Sequence, residues 1–161
     1  VLQLQWQRQE QTYRRLRVRL MAAQGPVGTS DVAVLLQLEP ASGGGTAVSL
    51  RYACRFNLAA RMLLSTYLAT LGRGKVGFTA LPGGGPDAYV GGLRGVLERT
   101  VMRYYLAIEV WLQAAALPPA QRVQARLEGW FDATERYPRQ LRELDRATYL
   151  ANKRRELAAM P

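Results

Sequence analysis

The sequence predicts an α+β fold in which an antiparallel β-meander packs on a long helix and two C-terminal helices follow. Three observations support this fold class. Apolar and polar residues alternate in the first 56 residues, apolar residues recur at helical spacing after residue 92, and runs rich in glycine or proline separate these segments. Alternation is typical of strands with one covered face, and i, i+3, i+4 spacing is typical of helices.

Four alternating segments predict the antiparallel sheet, which we place in residues 1–56. Their apolar residues share the even-numbered positions: Leu2, Leu4 and Trp6, then Leu16, Val18 and Leu20, then Val32, Val34, Leu36 and Leu38, then Val48, Leu50, Tyr52, Cys54 and Phe56. Turn residues separate the last three segments at positions 25–28 and 40–45. Short connections of this kind favour neighbouring strands that run antiparallel.

Residues 57–92 predict a helix and short strands. Asn57 is a suitable N-cap for a helix that ends near Thr70, because its side chain can accept a hydrogen bond from the first turn. Residues 75–80 and 88–90 predict two brief strands. The Gly-Arg-Gly-Lys stretch before them lacks the spacing and the strand–loop–helix context of a phosphate-binding loop. Gly72 and Gly74 are therefore expected to end the helix and form a tight turn.

Residues 93–161 predict the helical part of the chain. One apolar ladder and a second apolar row beside it predict a helix that is buried on more than one side. The ladder contains Leu93, Leu97, Val101, Tyr105, Ile108 and Leu112, and the second row contains Met102, Leu106 and Val110. Prolines at 118, 119 and 138 predict two further helices. The first carries Val123, Leu127, Trp130 and Phe131 on one face, and the second runs from Pro138 to about Ala158. The chain has 161 residues, which is about the size of one domain, so we expect a single domain.

The charge of the chain favours anionic partners. Lysine and arginine number 22 against 12 acidic residues, a net charge of +10. Such a surface attracts acidic lipid headgroups or acidic proteins, or is simply a solvated exterior. Five arginines on odd positions of the strands predict a basic, solvated sheet face: Arg15, Arg17, Arg19, Arg51 and Arg55. The aromatic residues of the strands share the other parity, which argues against nucleic acid as a partner.

The side-chain chemistry narrows the possible activities. The chain has no histidine, which excludes histidine-based triads and histidine metal sites within it. Cys54 is the single cysteine, and its place in an apolar row predicts a buried, inert thiol. We therefore assign no catalytic residue and expect neither a metal nor a cofactor.

Several segments are similar to an uncharacterised family of exported proteobacterial proteins. They are residues 23–29, 67–72, 75–78, 89–92, 102–108 and 135–141, and the similarity extends over about residues 13–156. The order of a meander followed by a long apolar helix resembles the START-like (SRPBCC, Bet v 1-like) helix-grip domain. The resemblance implies a periplasmic protein, a curved sheet around a helix, and further elements before Val1. It implies no activity.

The predicted function is non-enzymatic binding of a lipid or other hydrophobic small molecule in a cleft between the sheet and the long helix. The residues expected to bind this ligand are Trp6, Val18, Val34, Leu50, Tyr52, Phe56, Tyr105 and Glu109. Glu109 interrupts an apolar helical segment. It either orients a polar group of the ligand, or lies at the solvent edge of the helix, or pairs with an arginine of the sheet.

Two alternatives remain open from the sequence. The first is a START-like enzyme of the cyclase or hydrolase type that uses Glu109 and Tyr105. The second is a structural or interaction module whose C-terminal helices bind a partner or an anionic membrane surface through their arginines.

Overall fold

The computed structural model describes residues 5–25, 28–70, 72 and 74–159, with the backbone alone for residues 6–10. Leu2 and Leu4 of the first predicted strand lie outside these residues. The chain divides into two compact units, Val1–Gly74 and Lys75–Pro161, and each is described by itself. The α+β class with an antiparallel sheet and several helices is confirmed. The single domain and the helix-grip arrangement stay predictions.

The first unit contains a four-stranded antiparallel meander. Its strands are β1 (Gln5–Gln11), β2 (Leu16–Gln24), β3 (Thr29–Pro40) and β4 (Thr46–Phe56), and they lie in the order β1-β2-β3-β4. Each strand pairs with the next one along the chain. The four alternating segments therefore predicted the strands and their antiparallel pairing correctly.

The strand register places the predicted apolar residues on one face of the sheet. Val18 lies opposite Leu36, which in turn lies opposite Leu50. The next row on the same face contains Leu20, Val34 and Tyr52. Because side chains alternate between the two faces, the arginines of the odd positions lie on the other face. That face is solvated as predicted, with Arg17, Arg19 and Arg51 exposed.

Two local conformations shape the sheet. Gly44 and Gly45 have φ values of 87° and 81° in the β3–β4 turn, a region that L-residues with a side chain rarely adopt. Asp31 also has a positive φ, 49°, at an irregularity of the β3–β4 register between Ser30 and Ala33. Its carboxylate lies 3.3 Å from Arg55, so an exposed ion pair joins the two strands beside the irregularity.

Helix α1 (Leu58–Ala69) completes the first unit, as the sequence predicted. The Asn57 side chain accepts a hydrogen bond of 2.7 Å from the Ala60 amide, which satisfies one free donor of the first turn. At the other end, the Gly72 amide donates to the Tyr67 carbonyl over 2.8 Å. This bond closes the last turn in the manner of a Schellman motif, so Gly72 belongs to a helix end rather than to a phosphate site.

The described residues of the second unit form four helices. They are α2 (Gly92–Ala115), α3 (Pro119–Glu135), α4 (Pro138–Leu141) and α5 (Arg146–Ala158). The prediction of one helix from Pro138 to about Ala158 was wrong, because the chain leaves the helix at Arg142. Asp145 then caps α5 by accepting a hydrogen bond from the Thr148 amide over 2.9 Å. A cap of this kind favours a new helix start over a continuous helix.

The core of the second unit lies between α2, α3 and α4. Its buried members are Leu106, Val110, Ala133 and Leu141, and Phe78, Met102, Trp130 and Tyr137 pack around them. On α2 the second apolar row is the buried one, with Leu106 only 1% exposed. Two members of the longer ladder, Tyr105 and Leu112, are 45% and 56% exposed. The sequence pattern identified both rows but not their different burial.

Residues 75–80 and 88–90 pair over a shorter length than predicted: Ala80 and Tyr89 form one antiparallel bridge, flanked by hydrogen bonds from the Leu81 amide to the Ala88 carbonyl and from the Val90 amide to the Thr79 carbonyl. The Glu98 side chain explains why. Its Oε2 atom accepts hydrogen bonds from the Phe78 and Thr79 amides over 2.7 and 2.9 Å. The Thr79 hydroxyl donates to Oε1 over 2.7 Å, and so does Arg94 Nε over 3.0 Å. The Thr79 amide therefore binds the carboxylate and does not extend the pairing beyond the bridge.

The environment of Glu98 sets its charge. Partial burial raises the pKa of this carboxyl, but the hydrogen bonds from Thr79, Phe78 and Arg94 outweigh burial and lower the pKa from 4.5 to about 2. The pKa of Glu98 is therefore lower in the folded protein than in the unfolded chain. The stabilisation is therefore complete above about pH 4.5 and is lost as the pH falls toward 2.

We expect Glu98→Gln to lower the free energy of unfolding by about 2 kcal/mol at pH 7, because the loop loses a charged acceptor of several hydrogen bonds. Urea unfolding followed by circular dichroism measures this loss. The difference between the two proteins should shrink as the pH falls below 4.5. Glu156→Gln, on the exposed side of α5, is the matched control. Equal losses for both variants at pH 7 would contradict the role assigned to Glu98.

Candidate functional site

The sheet residues of the predicted site share one face of the first unit. Val18 and Val34 are buried, and Leu50, Tyr52 and Phe56 are half-buried. The backbone of Trp6 pairs with Leu20 in β1, and its side chain lies outside the described part of the structure. The structure therefore brings together the part of the predicted set that lies on β2, β3 and β4.

Tyr105 and Glu109, the remaining predicted residues, lie on α2 of the second unit. The Glu109 carboxylate accepts hydrogen bonds from Arg136, with distances of 2.6 Å to Nη2 and 3.5 Å to Nη1. The hydrogen bond to Glu109 raises the pKa of Arg136 above its ordinary value. An arginine partner was one of the alternatives for Glu109, but it belongs to the end of α3 and not to the sheet. The gathering of all eight residues in one cleft stays a prediction.

Cys54 lies on β4 next to the predicted set. Burial raises the pKa of its thiol, and a side-chain hydrogen bond with Tyr52 offsets this only in part. A raised pKa keeps the sulfur protonated near neutral pH, and a thiol is a much weaker nucleophile than a thiolate. Cys54 is half-buried rather than buried as predicted, and its raised pKa agrees with the expectation of an inert thiol.

A cleft of about 340 Å³ lies between α2, α3 and α5 of the second unit. We call it the aromatic cleft. Its lining residues are Ala107, Val110 and Trp111 from α2, Arg126, Leu127 and Trp130 from α3, and Tyr149 and Lys153 from α5. Its walls are thus mostly apolar and aromatic, with two cationic side chains.

A stacked aromatic pair forms one wall of the aromatic cleft. The rings of Trp130 and Tyr149 are 5.3 Å apart with an interplanar angle of 24°, and Phe131 lies 5.6 Å from Tyr149 on the other side. Burial raises the pKa of the Tyr149 hydroxyl, and the nearby Glu156 carboxylate adds to this. A second cleft of about 250 Å³ borders Trp130, Tyr149 and Lys153 as well, so the pair separates two adjoining depressions.

Arg126 is the distinctive polar group of the aromatic cleft. Its guanidinium carbon lies 4.8 Å from the centre of the Trp111 ring, which is a cation–π contact. Its Nε atom is buried and has no hydrogen-bond partner among the described residues. The other cation, Lys153, is paired with Glu156 at 2.7 Å. Arg126 therefore lines the cleft and carries one N–H donor that no described residue satisfies.

Sequence reasoning identified Trp130 and Leu127 as members of an apolar helix face but missed Arg126, Tyr149 and Lys153 as site residues. A signal for them exists in the sequence. Arg126 and Trp130 are four residues apart, as are Tyr149 and Lys153. Residues at this spacing lie side by side on a helix, so each helix offers one cation beside one aromatic ring.

No other site chemistry is evident in residues 5–25, 28–70, 72 and 74–159. No group of three acidic, cysteine or histidine side chains among them could hold a metal ion. None of the described helices is long and apolar enough to cross a membrane. Comparisons of the chain with protein-family models, with curated proteins and with solved structures gave no match.

We expect Glu109→Gln to reduce the free energy of unfolding by no more than about 1 kcal/mol, because partly exposed ion pairs contribute little. Both partners are partly solvated, with Arg136 about half exposed. Urea unfolding of the wild type, Glu109→Gln, Arg136→Gln and the double variant gives the coupling energy of the pair. A loss of several kcal/mol for either single variant would show instead that the pair belongs to a buried network.

Proposed function

We propose that the protein binds, without catalysis, a hydrophobic small molecule or lipid that carries an acidic group, and that the aromatic cleft holds this ligand. One observation carries the proposal. The buried Nε–H group of Arg126 lacks a partner among the described residues and lies beside an apolar, aromatic cavity.

The apolar part of the ligand fits the walls of the cleft. A volume of about 340 Å³ lies near the lower end of the usual range for small-molecule sites. Trp111, Leu127 and Trp130 offer ring and aliphatic surface to an acyl chain or a ring system. Removal of such surface from water is favourable and does not depend on direction, so the walls select for apolar character rather than for one exact structure.

The acidic part of the ligand fits Arg126. A buried N–H group without a partner costs about 1–3 kcal/mol, and a carboxylate or phosphate oxygen would satisfy it with a charge-assisted hydrogen bond. Lys153 lines the same cleft, but its charge is paired with Glu156, so Arg126 is the group that favours an anion. A neutral apolar molecule would leave the arginine donor unsatisfied. The polar groups of the cleft therefore favour an anionic amphiphile.

The ligand class agrees with the hypothesis that the sequence suggested, although the cleft differs from the predicted place between sheet and long helix. A START-like domain and a periplasmic location belong to the same proposal, and they rest on the resemblance of the segments described above. We favour binding over catalysis because Glu109, the candidate base, is tied to Arg136 by hydrogen bonds from two guanidinium nitrogens. A general base needs a carboxylate that can reach the substrate.

We expect Arg126→Met to weaken the binding of a dansylated fatty acid about tenfold, because one charge-assisted hydrogen bond is lost while an unbranched apolar side chain of similar length still lines the cleft. A fluorescence titration measures the dissociation constant. Arg154→Met removes the same charge from an exposed position of α5 that does not line the cleft, and it serves as the matched control. The methyl ester of the probe should bind the wild type and Arg126→Met equally.

Three results decide the outcome of this experiment. Weaker binding by Arg126→Met alone supports the assignment of Arg126 to the acidic group. Equal weakening by Arg126→Met and Arg154→Met would reduce the effect to net charge. Absence of saturable binding by the wild type, together with native mass spectra that show no retained ligand, would overturn the proposed function.

A further inference from the structure

The outer face of helix α1 carries large apolar side chains in water. Leu58, Met62, Leu63 and Tyr67 are 74%, 63%, 61% and 41% exposed. The first three lie on the half of this 12-residue helix that faces away from Ala60, Leu64 and Leu68, together with the exposed Ser65 and Thr66. Exposed apolar residues that occur singly are ordinary, whereas a contiguous exposed patch marks an interaction surface.

The inner face of α1 is already packed within the first unit. Ala60 is buried, and a Cβ on Gly28 would lie only 3.3 Å from the Ala60 side chain, so the two chain segments are in close contact. Leu64 and Leu68 on the same side are half-buried. Arg61 is the single charged residue of α1. Large apolar side chains on both sides of a helix indicate contacts on both sides, and the outer side of α1, which also carries Ser65 and Thr66, is exposed.

The charge of the first unit favours an anionic partner for the exposed side of α1. Residues 1–74 contain nine arginines and three acidic residues, a net charge of +6. Asp31 and Glu39 already pair with Arg55 and Arg15. No acidic side chain among the described residues pairs with Arg17, Arg19 or Arg51, which line a depression of about 200 Å³ on the sheet. The unit therefore combines excess positive charge with an exposed apolar helix face.

We propose that the outer face of α1 docks on an anionic lipid bilayer. Leu58, Met62 and Leu63 enter the apolar layer at the headgroup boundary. Arg61 lies three residues after Leu58, and therefore beside it on the helix surface, where it binds lipid phosphate. Tyr67 places a ring with a polar hydroxyl at the interface, where such side chains are favoured. The remaining arginines add long-range attraction to the negative surface.

Other occupants fit these observations less well. A second copy of the chain would bring two units of net charge +6 together, which opposes association. Nucleic acid would satisfy the arginines but offers no apolar interior to the leucine and methionine side chains. An anionic bilayer supplies both kinds of contact at one surface.

The test is co-sedimentation with vesicles of phosphatidylcholine alone and with vesicles that also contain phosphatidylglycerol. We expect the wild type to bind only the anionic vesicles at low salt, and the Met62→Gln/Leu63→Gln variant to bind them about tenfold more weakly. The matched control is Leu112→Gln/Val123→Gln, which removes two exposed apolar side chains of the second unit without touching the aromatic cleft. This control should bind as the wild type does.

Each alternative has its own result. Unchanged vesicle binding by Met62→Gln/Leu63→Gln overturns the proposal. So does a self-association in solution that this variant abolishes, or binding of a single-stranded oligonucleotide in place of vesicles. The two proposals can fail separately, because Arg126→Met should bind vesicles normally and Met62→Gln/Leu63→Gln should bind the dansylated fatty acid normally. Circular dichroism confirms that both variants are folded.

Discussion

The Glu98 carboxylate is the constraint on which the second unit depends. It accepts hydrogen bonds from the amides of residues 78 and 79, and in doing so it fixes their loop against α2. Gly77 and Gly95 permit this contact, since a Cβ on Gly95 would lie 2.9 Å from the Val90 carbonyl oxygen. The fixed loop places Phe78 on the core, where its ring meets Tyr137 edge to face at 5.3 Å. One partly buried charge with several hydrogen bonds thus links an irregular segment to the packing of the helices.

The same packing determines the shape of the aromatic cleft. Leu106 and Val110 hold one side of α2 in the core, which leaves Trp111 at the edge of the cleft. Gly129 allows α2 and α3 to approach closely, because a Cβ there would lie 3.0 Å from Val110. Its neighbour Trp130 then stacks on Tyr149 of α5. Residues that line the cleft are therefore next to residues that build the core, and rings held in this way lose little further freedom when a ligand binds.

Local patterns in the sequence predicted local structure. Period-two alternation gave the four strands, and Asn57 gave the start of α1, because each signal acts within a few residues. The strand expected at 75–80 is reduced to one bridge because the Thr79 amide binds a carboxylate 19 residues away, and no pattern of neighbouring residues encodes that pairing. The break before α5 was readable from Asp145 and Thr148, which form a cap. In the candidate site, Arg126 and Tyr149 lie 23 positions apart, so only the tertiary fold brings them together.

The aromatic cleft and the outer face of α1 differ in whether their positive charges are buried or exposed. This difference favours different partners for the two surfaces. In the aromatic cleft the Arg126 Nε donor is buried beside rings, so it suits one acidic group on one molecule. A buried donor is weakly screened by salt and selects by hydrogen-bond geometry. On α1 the apolar residues are exposed, and the arginines of the same unit are spread over a solvated face. Such charges are strongly screened and select for an extended anionic surface rather than for a single group. Binding at the cleft should therefore depend weakly on ionic strength and binding through α1 steeply, as follows from burial alone.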